Sequence, residues 1–182
     1  MKTRKLLFTM IAVMTMVFGL TLTAHAEETP APATKVVGVE GIGTFTVPAD
    51  WTEEYIEGYG TYWFNPTKTA CVSVDCSDRS SKGHPPIEAF SATYRNNIEA
   101  MGVTIIDWQV TKYFDHDAIY QVVAYPGNSE FPIDCPVYRN NGYDYCYTYY
   151  AGDYTVGTGV SATSIEQLQS ALLVFATYQP VQ

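Results

Sequence analysis

Basic side chains are scarce in this chain, which has 10 Lys and Arg residues against 19 Asp and Glu residues. Three of the basic residues, Lys2, Arg4 and Lys5, fall in the first five positions, and residues 1–26 contain no acidic residue. The remaining seven basic and nineteen acidic residues give a net charge of −12. Such a charge disfavours nucleic acid and anionic lipid as partners, while it permits contact with a cation or a basic partner.

Catalytic signatures are also missing. Residues 27–182 contain two histidines, His84 and His116, and neither lies in a recognisable nucleophile motif. No two cysteines have the C-x-x-C spacing of zinc sites or of thioredoxin-like redox sites. We therefore expect no cofactor, and no motif indicates an enzyme.

The first 26 residues have the pattern of a secretory signal. An apolar run over 6–22 follows the three basic residues, and Ala24–Ala26 is an A-x-A step typical of signal-peptidase cleavage. We expect a secreted protein, with an uncleaved membrane anchor as the alternative. No cysteine lies at the cleavage site, so lipid anchoring is not supported. Residues 27–35 predict a flexible tether, and residues 36–182 predict a single domain.

Four cysteines remain, and an even number in an exported chain favours disulfide bonds, for which three pairings are possible. Residues 133–139 and 143–150 are predicted to form a hairpin. A turn at residues 140–141 places Cys135 opposite Cys146, within disulfide reach. A turn at residues 141–142 instead places Cys135 opposite Thr148. The other pair, Cys71 and Cys76, lies in a predicted strand and can bond only if a turn interrupts it.

Alternating and helical patterns predict an α+β fold with a mostly antiparallel sheet and two main helices packed on it. Residues 60–65 and 70–76 are predicted to form a β-hairpin, and residues 103–113 and 118–125 a second antiparallel pair. A helix is predicted to begin near Pro85 and to end at Gly102. Residues 151–162 are predicted to be a loop or a weak edge strand. A capping box, Thr163 with Glu166, predicts the final helix.

Three local features resemble the PsbP-like family of α/β/α sandwiches, which includes the photosystem II extrinsic protein PsbP and DcrB-like envelope proteins. They are the strand, proline and tryptophan of Phe45–Trp51, the central helix ending in Met101-Gly102, and the closing helix running into Leu172–Phe175. The resemblance covers about residues 36–178. It implies a binding or assembly role without a shared reaction, and it transfers no functional residue.

Three groups of residues are candidate sites. The turn Asp115-His116-Asp117 combines two carboxylates and an imidazole, which could hold a divalent cation, although a solvated turn is the competing interpretation. Trp51 could be a surface anchor for a ligand, or it could close the end of the sheet. Alternation places four tyrosines on one strand face, where they could stack on a ligand or pack under a helix. These tyrosines are Tyr143, Tyr145, Tyr147 and Tyr149.

The aromatic content and the missing catalytic motif favour a secreted, non-enzymatic binding or assembly domain. Its expected partner is an extracellular or envelope protein or a glycan, with no nucleic acid, and with a membrane only through an uncleaved signal segment. The alternative is a small secreted hydrolase that uses paired carboxylates, with or without a divalent ion. Two carboxylates about 5–9 Å apart in a deep polar cleft would favour that hydrolase.

Overall fold

The computed structural model describes residues 32–126 and 142–181. Within these residues, ten strands form two sheets, and two helices pack against the larger sheet. The elements in chain order are β1 (Thr34–Val39), β2 (Gly43–Pro48), β3 (Thr52–Ile56), β4 (Gly60–Phe64), β5 (Ala70–Asp78), α1 (Ile87–Ala100), β6 (Thr104–Tyr113), β7 (His116–Ala124), β8 (Tyr143–Ala151), β9 (Tyr154–Ala162), α2 (Ile165–Phe175) and β10 (Gln179–Pro180).

The larger sheet has seven strands in the order β3-β4-β5-β9-β8-β7-β6, and every neighbouring pair is antiparallel. A smaller antiparallel sheet joins β1, β2 and β10. Helix α1 packs against β6 and β7 on one face of the larger sheet. Helix α2 packs against β5, β9 and β8 and also contacts β2 of the smaller sheet. The α+β class predicted from the sequence is confirmed.

The main core lies between the seven-stranded sheet, α2 and the smaller sheet. Phe45 of β2 lies at its centre, with ring centroids 4.8 Å from Tyr178, 6.1 Å from Trp63 and 6.1 Å from Phe175. A second, smaller core lies on the α1 side of the sheet around Ile98. Neither α1 nor α2 is long and apolar enough to span a membrane.

Several predicted elements are confirmed with small shifts. The β4–β5 hairpin forms as expected. Helix α1 ends at Ala100, two residues before Gly102, whose φ of 76° is the left-handed conformation typical of the residue after a helix C-cap. Helix α2 is capped one residue later than predicted, because the side chain of Ser164 accepts a hydrogen bond from Gln167 N. Strand β1 begins at Thr34, so the last two residues assigned to the tether, 34 and 35, belong to the fold.

Of the two alternatives predicted for residues 151–162, the loop is wrong and the strand is confirmed, but the strand does not lie at an edge. Strand β9 occupies the centre of the large sheet, with β5 on one edge and β8 on the other. Gly157 and Gly159 weakened the strand pattern, because glycine contributes no side chain to the alternation.

The hairpin predicted from residues 133–139 and 143–150 also requires a correction. Strand β8 is hydrogen-bonded to β7 along one edge and to β9 along the other, so neither edge remains for a third partner. Residues 133–139 lie outside the described residues.

Candidate functional site

The two faces of the large sheet differ in chemistry, and this difference creates a pocket. Towards α2, β5 and β9 present mainly valine and alanine, whereas towards α1 the same strands present small polar residues and glycine. On the α1 side these residues are Ser73, Asp75, Ser77, Thr155, Gly157, Gly159 and Ser161. A pocket of about 340 Å³ lies between this polar face and α1. We call it the α1 pocket.

Glycines of β9 leave the floor of the α1 pocket open. In register, Gly157 lies between Asp75 of β5 and Thr148 of β8. A Cβ atom at Gly157 would meet only the Cβ of Asp75, at 3.8 Å, so the space above it is open. A Cβ at Gly159 would lie 2.7 Å from the carbonyl oxygen of Tyr145, which is too close. The first glycine therefore shapes the pocket, and the second allows close strand packing.

Gln121 of β7 is the most buried polar side chain of the pocket, with 1% of its surface exposed. Its Nε2 atom lies 3.5 Å from the hydroxyl oxygen of Tyr94 on α1. Its Oε1 atom has no hydrogen-bond partner within residues 32–126 and 142–181. A buried acceptor without a partner costs about 1–3 kcal/mol. The pocket therefore holds an acceptor that a ligand could satisfy.

Two carboxyl groups line the α1 pocket. Asp144 of β8 is 8% exposed and accepts a hydrogen bond of 2.8 Å from Ser161 Oγ. Burial raises the pKa of Asp144 to about 6, because the charged carboxylate loses its hydration. Asp75 is half-buried, and burial also raises its pKa. The ion pairs among the described residues, Lys68–Glu54, Arg95–Glu99 and Lys112–Asp117, leave both pocket carboxyl groups without a cationic partner.

Aromatic rings form the wall that faces the polar floor. On α1, Phe90 and Tyr94 stack with ring centroids 5.7 Å apart. Phe90 also contacts Tyr150 of β8, which stacks on the ring of His84 at 4.1 Å. The further lining tyrosines are Tyr59, Tyr62 and Tyr125. The pocket thus combines polar acceptors on its floor with apolar walls, as small-molecule sites do.

The two pocket carboxyl groups are too far apart for paired acid–base chemistry. Asp75 on β5 and Asp144 on β8 are two strand spacings apart, with β9 between them, and four residues apart along the strand direction. Strand spacing and rise then place their Cα atoms about 16 Å apart. Paired carboxylates of glycoside hydrolases lie about 5–9.5 Å apart. This separation does not favour the hydrolase alternative.

The tyrosine ladder lies on the opposite face of the sheet from the α1 pocket. Tyr149 is fully buried and its hydroxyl lies 2.9 Å from that of Tyr178. Tyr145 and Tyr147 are partly buried, with ring centroids 5.6 and 6.4 Å from Phe175 of α2. Tyr143 also packs against the main core. The four tyrosines predicted as ligand contacts therefore pack beside helix α2.

Trp51 is 7% exposed and belongs to the main core. It precedes β3, and its carbonyl oxygen accepts a hydrogen bond from Lys35 Nζ. This burial agrees with the interpretation that Trp51 closes the end of the sheet, and it does not favour Trp51 as a surface anchor for a ligand.

The Asp115-His116-Asp117 segment does not bring its three side chains together. The two-residue turn is Phe114-Asp115, both with positive φ, so His116 and Asp117 already belong to β7 and point to opposite faces. Asp117 pairs with Lys112 at 2.7 Å. Among the described residues, no group of three His, Cys, Asp or Glu side chains could hold a metal ion.

The predicted disulfide bonds have different outcomes. Cys71 and Cys76 lie five residues apart on the uninterrupted strand β5, about 17 Å of extended chain. Their odd separation also directs them to opposite faces, so a Cys71–Cys76 bond is incompatible with this strand. Cys146 lines the α1 pocket. A Cys135–Cys146 bond stays a prediction, because Cys135 lies outside the described residues.

The α1 pocket was not predicted from the sequence. Alternation along β5 places Ser73 and Asp75 on one face, and alternation along β8 places Asp144 and Thr148 on one face. Polar residues in such a pattern ordinarily indicate a solvated face, whereas Asp144 and Thr148 are buried. The missing information was the strand order β5-β9-β8, which brings these polar faces side by side beneath α1.

No family model matches the chain, and no curated protein matches it. The fold is similar to the solution structure of cyanobacterial PsbP (CyanoP) from Synechocystis sp. PCC 6803, with a TM-score of 0.57 and 9% sequence identity. This match covers 87% of this chain and 99% of that chain. The architecture is therefore PsbP-like, as the resemblance predicted.

A second solved structure is the Ran-binding protein Mog1p from Saccharomyces cerevisiae, with a TM-score of 0.47 and 8% identity. That match covers 82% of this chain and 96% of that chain. A third is PA94, a protein of unknown function from Pseudomonas aeruginosa, with a TM-score of 0.44 and 10% identity over 79% of this chain and 91% of that chain.

Proposed function

We propose that the chain is an exported, non-enzymatic binding domain that holds a small polar ligand, or a small polar group of a larger partner, in the α1 pocket. Export is supported by the basic, apolar and small-residue segments of residues 1–26. Binding is supported by a pocket of about 340 Å³, within the size range of small-molecule sites.

The unpartnered Oε1 atom of Gln121 is the observation that carries this function. Native proteins pair nearly all buried polar atoms, and exceptions require a reason. Gln121 lies on the pocket side of β7, beneath the Tyr94 hydroxyl, so the reason can be a ligand donor that completes the pairing. Extracellular or envelope proteins and glycans remain the proposed partners, because both carry small polar groups of suitable size.

A variant whose new side chain fills the α1 pocket tests whether the pocket binds a ligand. Leucine at position 157 occupies the open space above the β9 floor, because only the Asp75 side chain lies near that Cβ position. Ala89→Leu adds the same side chain at an exposed position of α1 and serves as the control. Both variants are first compared with the wild type by circular dichroism and thermal unfolding.

Ligand-observed NMR then measures binding of a panel of small amines, carboxylic acids, monosaccharides and alcohols. We expect at least one probe to bind the wild type and Ala89→Leu, and to lose binding to a folded Gly157→Leu variant. Binding that is insensitive to Gly157→Leu, or no binding by any class of probe, would overturn the assignment of the α1 pocket.

A further inference from the structure

Two carboxyl groups and the unpartnered oxygen of Gln121 lie at two separate ends of the α1 pocket. At one end is the carboxyl group of Asp75, beside the open floor at Gly157. At the other end are Gln121 Oε1 and the carboxyl group of Asp144. Arg79, after the end of β5, is the only Lys or Arg side chain in the described lining of the pocket. The pocket is therefore suited to a ligand that supplies donors and positive charge.

Asp75 has the properties of a counter-ion for a cationic ligand. It is half-buried, and none of the ion pairs within residues 32–126 and 142–181 involves it. Burial raises its pKa, which means that the ionised carboxylate is only partly compensated by its surroundings. A bound ammonium group would restore that compensation, since charge-assisted hydrogen bonds are stronger than neutral ones.

The second end of the pocket presents acceptors that are more deeply buried. Gln121 and Asp144 lie on adjacent strands, two residues apart in register, so their Cα atoms are about 8 Å apart. One Asp144 oxygen accepts a hydrogen bond from Ser161, while Gln121 Oε1 has no partner in the described chain. A second N–H group of the ligand would satisfy Gln121.

The two ends are too far apart for one nitrogen atom to reach both. Asp75 and Gln121 are three strands apart and two residues apart in register, which places their Cα atoms about 16 Å apart. A ligand that reaches both acceptors therefore needs two nitrogen atoms joined by a chain. Phe90 and Tyr94 provide an aromatic wall along that path, and aromatic faces attract cations and pack against methylene groups.

We infer that the α1 pocket binds a short linear aliphatic diamine, with one ammonium group on Asp75 and the other on Gln121 and Asp144. The diamine would occupy the pocket assigned above, so this inference rests on the proposed function. Its methylene chain packs along Phe90 and Tyr94, and its two charges complement a chain that carries excess acidic residues.

Calorimetry with 1,4-diaminobutane and 1,5-diaminopentane tests the inference in buffer with 150 mM NaCl. The comparison ligands are 1-butylamine, which has one nitrogen atom, and 1,4-butanediol, which has no charge. We expect a diamine to bind at least about tenfold more tightly than butylamine, because a hydrogen bond to a charged group contributes about 1.5–3 kcal/mol. Butanediol is expected to bind more weakly than both.

Two variants separate the two ends of the pocket. Asp75→Asn should weaken diamine and butylamine binding alike, by about tenfold or more. Gln121→Leu should weaken diamine binding more than butylamine binding, because only the diamine places an ammonium group at both ends of the pocket at once. Glu88→Gln removes an equal charge from an exposed position of α1 and should change neither affinity.

The outcomes distinguish this inference from the proposed function. Equal loss of diamine binding in Glu88→Gln and Asp75→Asn would show a general attraction to an acidic protein and would overturn the inference. The inference would also be overturned if other probes bound to the wild type and lost binding in Gly157→Leu while neither diamine bound. In that case the α1 pocket would remain a binding site, and the proposed function would stand. If no probe of any class binds, the proposed function itself fails.

Discussion

The two faces of the seven-stranded sheet are built from the same strands but have opposite character. Towards α2, the central strands present Val72, Val74, Val156 and Val160, each 0–1% exposed, and the tyrosines of β8 extend this surface. Towards α1, the residues that alternate with them are serine, aspartate, threonine and glycine. One face is filled by apolar side chains, and the other leaves a pocket with an unpartnered acceptor.

This difference suggests that the two faces of one sheet have different roles, with the apolar face stabilising the fold and the polar face binding a ligand. Filled apolar surface stabilises the fold through area removed from water and through close packing. Buried polar groups that are incompletely paired cost free energy, and proteins retain such groups mainly where they serve a function. We therefore expect substitutions on the α2 side to change stability, and substitutions on the α1 side to change binding more than stability.

The largest expected difference in stability between the two faces comes from replacing one phenylalanine on each face with alanine. Phe45→Ala removes a ring that is 1% exposed and contacts three other aromatic rings, so the free energy of unfolding should fall by about 3–5 kcal/mol. Phe90→Ala removes a half-buried ring at the edge of the α1 pocket and should cost about 1 kcal/mol. Urea unfolding followed by circular dichroism measures both values. Similar losses for the two variants would contradict the division of roles.

The buried carboxyl group of Asp144 is expected to change the free energy of unfolding by a smaller amount, and this change depends on pH. Burial raises its pKa from 3.8 to about 6, so the folded protein binds this proton more tightly than the unfolded chain does. Stability from this group therefore falls as pH rises from about 4 to about 6, and it stays low above that range. Between pH 4.5 and 7.5 the wild type should lose about 2 kcal/mol relative to Asp144→Asn.

Urea unfolding at the two pH values measures this difference, because the other titrating groups contribute equally to both proteins. The amide introduced by Asp144→Asn retains an oxygen that can accept the Ser161 hydroxyl, so the variant removes the charge and preserves the shape. Parallel pH profiles for the two proteins would show that the Asp144 charge is solvated.

Local patterns were sufficient for the elements of the fold, because each depends on neighbours in sequence. The β4–β5 hairpin follows from alternation, and helix α1, which ends two residues before Gly102, follows from helical spacing and a left-handed glycine. The position of β9 could not be derived in this way. Its two glycines resemble a loop in sequence, and only pairing with β5 and β8 makes the strand central.

The candidate site depends on long-range pairing even more strongly. Asp75, Gln121 and Asp144 come from three separate strands, and no spacing in the sequence relates them. By contrast, Asp115-His116-Asp117 is contiguous and was easy to notice, yet adjacent strand residues point to opposite faces. The tyrosine ladder was prominent for a similar reason, and it packs beside α2.

The smallest expected changes in the free energy of unfolding come from two buried polar side chains on opposite faces of the sheet. Gln121→Leu removes an acceptor that has no partner in the described residues, so the variant should be more stable than the wild type by about 1 kcal/mol. Thr158→Val removes a hydroxyl that donates to the Ser73 carbonyl oxygen at 3.2 Å, so it should be less stable by about 1 kcal/mol. Both side chains are 1% exposed, so burial is matched and the hydrogen-bonding state differs. Urea unfolding at pH 7 measures the two changes. A loss of stability in Gln121→Leu as large as that in Thr158→Val would mean that Gln121 is already satisfied in the free protein, and the α1 pocket would then lack its vacant acceptor.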